Sequence, residues 1–251
     1  MVFGATGFDT ALGNVQRGAM EPTRGEEHDS QQRTGGRIPG LGEAPAYSIQ
    51  GPDPSDIPIL LAVPHAGRAY SGTVLERMRH PGFASLRLED RYVDLLAREV
   101  AEATGATLLV AHAPRAMIDL NRAADDIDWE MFGRRGIADT VGSYTPGRRS
   151  RSGLGLIPRR LPGIGELWKR RHDETELAAR IADVHGPYHA ALAQALAGLR
   201  ERWGAALLLD LHSMPPLSLR GGQAPPEFVL GDRFGAACNG GLVGSVFTYF
   251  S

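Results

Sequence analysis

The chain has 251 residues, with 27 Lys and Arg against 29 Asp and Glu, a formal net charge of −2. That balance supplies no general attraction to nucleic acid or acidic membrane surfaces. The single cysteine, Cys238, excludes an internal disulfide and a cysteine-rich zinc module. No apolar run approaches the roughly 20 residues that cross a bilayer, and the N-terminus lacks a charged segment leading into an apolar one. The expectation is a cytoplasmic protein with neither membrane nor nucleic-acid partner.

Residues 1–46 read as an extension outside the folded domain, because 21–37 are Glu, Gln, Arg, Gly and Ser with almost nothing to bury. One domain is expected over 47–251. Its first strand is Ile57-Pro-Ile-Leu-Leu-Ala-Val, which runs into Pro64 and His65. Leu88, Tyr92, Leu95, Leu96, Val100 and Ala103 recur at helical spacing, predicting one helix over 86–104 that stops at Gly105 and carries Asp90 and Asp94 on one face of its first turns. A second strand, 106–111, leads through Arg115 to Asp119-Leu-Asn-Arg122. Residues 120–165 are irregular and rich in Gly, Arg and Asp, a length that marks functional or disordered loops. A helix is expected from Ile164 to about Trp203, with a break or kink at Gly186-Pro187. The third strand, 205–210, delivers Asp210, His212 and Ser213. Short strands are expected at 227–232 and 243–250.

Unbroken apolar runs read as strands buried on both faces. Alternating with helices, they predict an α/β domain with a mostly parallel or mixed central sheet flanked by helices. Ligands of such sheets sit at the carboxyl ends of the strands. Three strands deliver His65, the Arg115–Arg122 segment and His212 towards one edge.

Two histidines and one carboxylate satisfy a hydrolytic zinc site, which needs three N/O ligands and an open position. Asp90 is the first choice for the carboxylate, with Glu89 and Asp94 as rivals. Asp210 is placed to orient a ligand imidazole from behind. The competing reading is that each histidine only hydrogen-bonds a neighbouring loop. Arg122 with Asn121 suits a substrate carboxylate, since a guanidinium binds it through paired hydrogen bonds; the alternative is a structural ion pair of Arg122 with a nearby Asp. The arginines at 148–151 and 159–160 lack the stacking aromatics of a nucleic-acid module. They read as a solvated loop, or as Arg159 entering the active site.

Seven motifs taken together resemble the N-formylglutamate amidohydrolase family: Val63-Pro-His-Ala-Gly67, Glu89-Asp-Arg-Tyr-Val-Asp94, Arg115 with Asp119-Leu-Asn-Arg122, Gly153-Leu-Gly-Leu-Ile-Pro-Arg159, Pro187-Tyr-His189, Asp210-Leu-His-Ser-Met214 and Leu230-Gly-Asp232. The resemblance implies a zinc-carboxypeptidase-like fold and one zinc per chain held by His65 and His212. It also implies hydrolysis of the amide of N-formyl or N-acyl amino acids, as in histidine degradation. Arg115 would stabilise the oxyanion, and Asn121, Arg122 and Arg159 would bind a small carboxylate-bearing substrate. The glutamate that would follow the first histidine in zinc carboxypeptidases is Arg68 here, so the acidic ligand must come from elsewhere, with Asp90 favoured. Family members continue to a final strand carrying a glutamate, the expected general base, and no Glu follows Glu227 here. That departure implies a sheet lacking its last strand. It leaves two alternatives open: a zinc peptidase or amidase acting on other amides, or a catalytically silent amino-acid-binding module.

Overall fold

The computed structural model describes residues 2–6, 31–133, 148–217 and 226–250. In chain order the strands are β1 (Val2–Thr6), β2 (Gln31–Gly35), β3 (Tyr47–Gly51), β4 (Ile59–Val63), β5 (Thr107–Ala111), β6 (Arg160–Leu161), β7 (Gly165–Glu166) and β8 (Ala206–Asp210). The α-helices are α1 (Gly72–Arg77), α2 (Pro81–Leu88), α3 (Val93–Thr104), α4 (Arg148–Arg151), α5 (Glu174–Arg180), α6 (Gly186–Trp203) and α7 (Gly240–Phe250).

The central sheet has the order β1-β8-β4-β5-β3-β2. Its middle strands β8, β4 and β5 are parallel, whereas β3, β2 and β1 join antiparallel, so the sheet is mixed. Alternation along the buried strands sorts their side chains by face. Leu60 and Leu109 enter one core with Tyr188 and Leu199 of α6; Leu61, Val63, Leu108 and Val110 enter a second with Val93, Ala97 and Ala101 of α3. Helices thus cover both faces. That is why β4 and β5 are apolar without interruption. Strand β8 is less deeply covered, with Leu207, Leu208 and Leu209 half-buried. Its outer edge is paired by β1, Val2 opposite Asp210 and Thr6 opposite Ala206.

Several expectations are corrected. The helix over 86–104 is two helices, because the chain leaves helical geometry at Glu89 and Tyr92 takes a left-handed φ of 66°. The break also resets the phase of α3. Its small residues Val93, Ala97 and Ala101 face the sheet, which lets the helix lie close, while Leu95 and Leu96 are exposed. The helix expected from Ile164 begins only at Glu174: 160–166 form the β6–β7 hairpin, and Asp173 caps α5 by accepting from the amides of Thr175 and Glu176. No strand forms at 227–232, where Gly231 makes only an isolated bridge position, and 243–250 lie within the helix α7. A short apolar run carries no periodicity that separates strand from helix. Within the irregular 120–165, a 3-10 turn forms at Trp129–Phe132, while 134–147 lie outside the described residues.

The folded part also begins earlier than Tyr47. Strand β2 pairs with β3, and Ile38 and Ala46 are buried in the larger core. The kink expected at Gly186-Pro187 is a π-helical turn, Ile181–His185, closed by the Gly186 amide donating to the Ile181 carbonyl. Proline lacks the N–H that would otherwise reach the Asp183 carbonyl. The Arg37 backbone amide donates there instead, at 2.8 Å, and the Arg37 guanidinium binds the Asp183 carboxylate at 3.1 Å.

Candidate metal centre

His65 follows β4 directly, in a turn that packs against the segment after β5. A Cβ on Gly67 would sit 2.1 Å from the Ala113 carbonyl oxygen, so only glycine permits this approach. Asp90 lies in the break between α2 and α3, where its amide donates to the His65 carbonyl at 2.9 Å. That single bond ties the break to the end of β4, and it explains why Asp90 is not on a helical face. His212 follows β8, whose parallel pairing with β4 sets Ala62 opposite Asp210.

These three residues meet. His65, Asp90 and His212 each present a donor atom, all within 4.8 Å of one another. His212 Nδ1 lies 2.8 Å from Asp90 Oδ2, and His65 Nδ1 lies 3.6 Å from the same oxygen. Donors on a tetrahedral ion with bonds of about 2.0–2.1 Å stand roughly 3.3 Å apart, a value between those two distances. His65 is 2% exposed, and among the described residues its Nδ1 has no hydrogen-bond partner. A buried, unpaired nitrogen is costly, and here it faces a carboxylate, as an ion's ligand would.

Behind each imidazole stands a second carboxylate. His65 Nε2 donates to Asp119 Oδ1 at 2.7 Å, which fixes the tautomer that leaves a lone pair on Nδ1. His212 Nε2 lies 3.1 Å from Asp210 Oδ2. Carboxylate–histidine pairs of this kind orient ligand rings and raise their basicity. Burial pushes the Asp90 carboxyl up, but the hydrogen bond from His212 and the neighbouring His65 ring outweigh it and hold the group at about 2. Burial lowers His212, yet its bonds to Asp210 and Asp90 win and raise it to about 9. Burial likewise opposes ionisation of Asp119, and the hydrogen bond and charge of His65, with Arg115 and Arg122, keep it well below the usual carboxylate range. His65, Asp90 and His212 thus form a possible metal-binding triad.

The rival carboxylates point elsewhere. Glu89 meets Arg91 at 3.2 Å and Arg68 at 3.9 Å, and Asp94 binds Arg68 at 2.8 Å. Arg115 Nε donates to Asp119 Oδ2 at 2.9 Å, so one carboxylate carries both His65 and Arg115. Asn121 brings its amide to 3.3 Å from His212 Nε2. Arg122 donates to the carbonyls of Leu154 and Asn121 and stands 4.0 Å from Asp119, so part of its guanidinium secures the loop. Arg159 is not drawn to the cluster. It pairs with Asp128 at 2.9 Å and Glu130 at 2.6 Å beside a separate cavity of about 230 Å³ that also holds Trp168 and His172. Asp119, which enters the sequence reading only within the Asp119-Leu-Asn-Arg122 motif, is the residue that the structure adds to the cluster, behind His65.

Residues 57–251 match the family model for N-formylglutamate amidohydrolase. The chain belongs to that family. It is 31% identical over 193 residues to an N-formylglutamate deformylase of Pseudomonas aeruginosa, covering 74% of this chain and 63% of that protein. An N-formylglutamate deformylase of Pseudomonas putida is 31% identical over 185 residues, covering 73% and 62%. The chain therefore spans somewhat less than two thirds of the length of these relatives. Among solved structures, the N-formylglutamate amidohydrolase from Ralstonia eutropha JMP134 superposes with a TM-score of 0.68 at 34% identity, covering 79% of this chain and 70% of that one. Among the described residues no helix is long and apolar enough to cross a membrane.

Proposed function

We propose that this chain is a zinc-dependent amidohydrolase that cleaves N-formyl or N-acyl amino acids, N-formyl-glutamate first among them, to the free amino acid and a carboxylic acid. The observation that carries this reading is the unpaired His65 Nδ1 facing Asp90 and His212, with Asp119 and Asp210 behind the two rings. The names of the family and of its relatives support the substrate class.

His65, Asp90 and His212 would hold the ion, a donor set of nitrogen and oxygen that suits zinc. Zinc bound there would supply Lewis acidity, acidifying a water and polarising the scissile carbonyl. Asp119 keeps the His65 lone pair directed towards Asp90 and His212, where the ion would be held, and holds Arg115 through Nε, from which the guanidinium would stabilise negative charge developing on the carbonyl oxygen. Asn121 and Arg122 orient the substrate through its carboxylate. Arg159, committed to Asp128 and Glu130, is left out of this set. The partner of the site is a small carboxylate-bearing molecule.

The test is elemental analysis for zinc together with N-formyl-glutamate hydrolysis, on the wild type and on His65→Ala and His212→Ala. Near one zinc per chain with turnover is expected, and both should be lost in either variant. Zinc without turnover would leave a metal-holding, catalytically silent module. Folded wild-type protein that takes up no zinc would sink the metal reading altogether.

A further inference from the structure

The motif Pro187-Tyr-His189 plays no part in the metal cluster, yet it reaches the loop beside it. His185 Nε2 lies 2.8 Å from the Arg122 carbonyl oxygen, and His189 Nε2 lies 3.0 Å from the Leu120 carbonyl oxygen. A carbonyl only accepts, so both imidazoles donate from Nε2. The two acceptors flank Asn121 on either side. The Asn121 carbonyl itself accepts from Arg122 Nη1 at 2.6 Å, and its amide donates to Asp119 Oδ1 at 2.9 Å. The backbone around Asn121 is therefore held on both sides by two histidines one helical turn apart.

Local structure makes the pairing possible. Residues four apart on a helix share a face, and His185 closes the π-helical turn from which α6 departs. The two rings lie 4.3 Å apart between centroids. His189 also meets Tyr188 edge-on at 5.4 Å, and Tyr188 is buried in the larger core, which braces the helix against the sheet.

We propose that His185 and His189 are positioning residues that clamp the Arg122 and Leu120 carbonyls on either side of Asn121 and thereby set the orientation of its side-chain amide, which lies against His212 Nε2. The kinetic part of this proposal rests on the amidohydrolase reading above; the clamp itself does not. The histidines touch neither ion nor substrate and act through Asn121.

Two measurements on the full chain test it. The first is hydrogen exchange of the peptide spanning 119–123 in wild type, His189→Ala and His189→Gln, the glutamine amide standing in for the Nε2 donor. Faster exchange in the alanine variant, reversed in the glutamine variant, is expected; unchanged exchange in His189→Ala overturns the clamp. The second is steady-state hydrolysis of N-formyl-glutamate with zinc content on the same samples. His189→Ala should raise KM about five- to tenfold, the scale of one lost net hydrogen bond, with kcat and zinc nearly unchanged and recovery in His189→Gln. In an Asn121→Ala background the histidine substitution should add little. An equal further loss there, or a KM that does not move, overturns action through Asn121. Wild type without turnover overturns the enzyme reading and leaves the exchange experiment to decide the clamp.

Discussion

His212 and His172 are both sheltered from solvent, yet their rings are driven in opposite directions. At the end of β8, His212 has carboxylate oxygens at 2.8 and 3.1 Å, and they raise it to about 9 against the effect of burial. Against Trp168, His172 has a partner on neither ring nitrogen among the described residues, and burial followed by the charges of Arg180 and Arg77 lowers it to about 3. Burial penalises a charged ring in both places. What differs is whether acids were brought in with it. A histidine buried with carboxylates keeps its charge; one buried beside arginines behaves as a neutral packing ring.

Removing an acid from the first region should have a large effect at fixed pH. Asp119→Asn deprives His65 of its orienting carboxylate and Arg115 of its ion pair, and a loss of zinc affinity of about 10- to 100-fold is expected by chelator competition. A variant that binds zinc like the wild type would show that the carboxylate behind His65 is dispensable.

Proton competition comes next. Metal-free His212 keeps its proton up to about 9, and an ion must displace it. Zinc affinity should therefore climb about tenfold per pH unit between roughly 6.5 and 9 and then flatten. The stability of the metal-free protein should move the other way in that window. A raised pKa stabilises the fold fully below the unfolded value of about 6.5, and that contribution is lost as pH rises through 9. Calorimetry with and without zinc across this range separates the two trends; a flat affinity profile would contradict the imidazolium.

The smallest effect belongs to the second region. His172→Leu removes two unpaired buried nitrogens and should stabilise the protein by about 1 kcal/mol at neutral pH with zinc content unchanged. Because the folded ring stays neutral down to about 3 while the unfolded ring takes a proton below about 6.5, the gain should widen as pH falls towards 4. Thermal denaturation at pH 7 and pH 5 measures both. A variant less stable than wild type would mean that the Trp168 contact outweighs the unpaired nitrogens.

Legibility from sequence followed the range of the forces involved. Strands β4, β5 and β8 could be read because four or five consecutive apolar residues ended in a functional side chain. The break at Glu89–Tyr92 could not, since Leu88, Tyr92, Leu95 and Leu96 fit a helical period. What holds the break is a bond from the Asp90 amide to the His65 carbonyl, in the turn after β4. That a carboxylate from Glu89, Asp90 or Asp94 should join the two histidines follows from the donor types a metal needs, whereas what sets Glu89 and Asp94 aside, their arginine partners, is tertiary. Asp119 and His65 are 54 positions apart, so no local spacing announces their bond. Residues 32–46 were hidden by their neighbours, because a polar composition outweighed Ile38 and Ala46, the two residues that are buried.

The bond from the Arg37 amide to the Asp183 carbonyl bears on where the domain can be cut. Asp183 lies in the π-helical turn that ends in His185, and Arg37 supplies the donor that Pro187 cannot. The family match begins only at residue 57, so a boundary drawn from homology would discard Arg37 together with β2 and β3. Such a trimmed chain keeps His65, Asp90 and His212 intact in sequence, yet leaves a carbonyl unpaired at the base of the helix that supports the Asn121 loop. The N-terminal segment is thus a splint for the helix behind the Asn121 loop, and expression boundaries chosen without it would weaken that support.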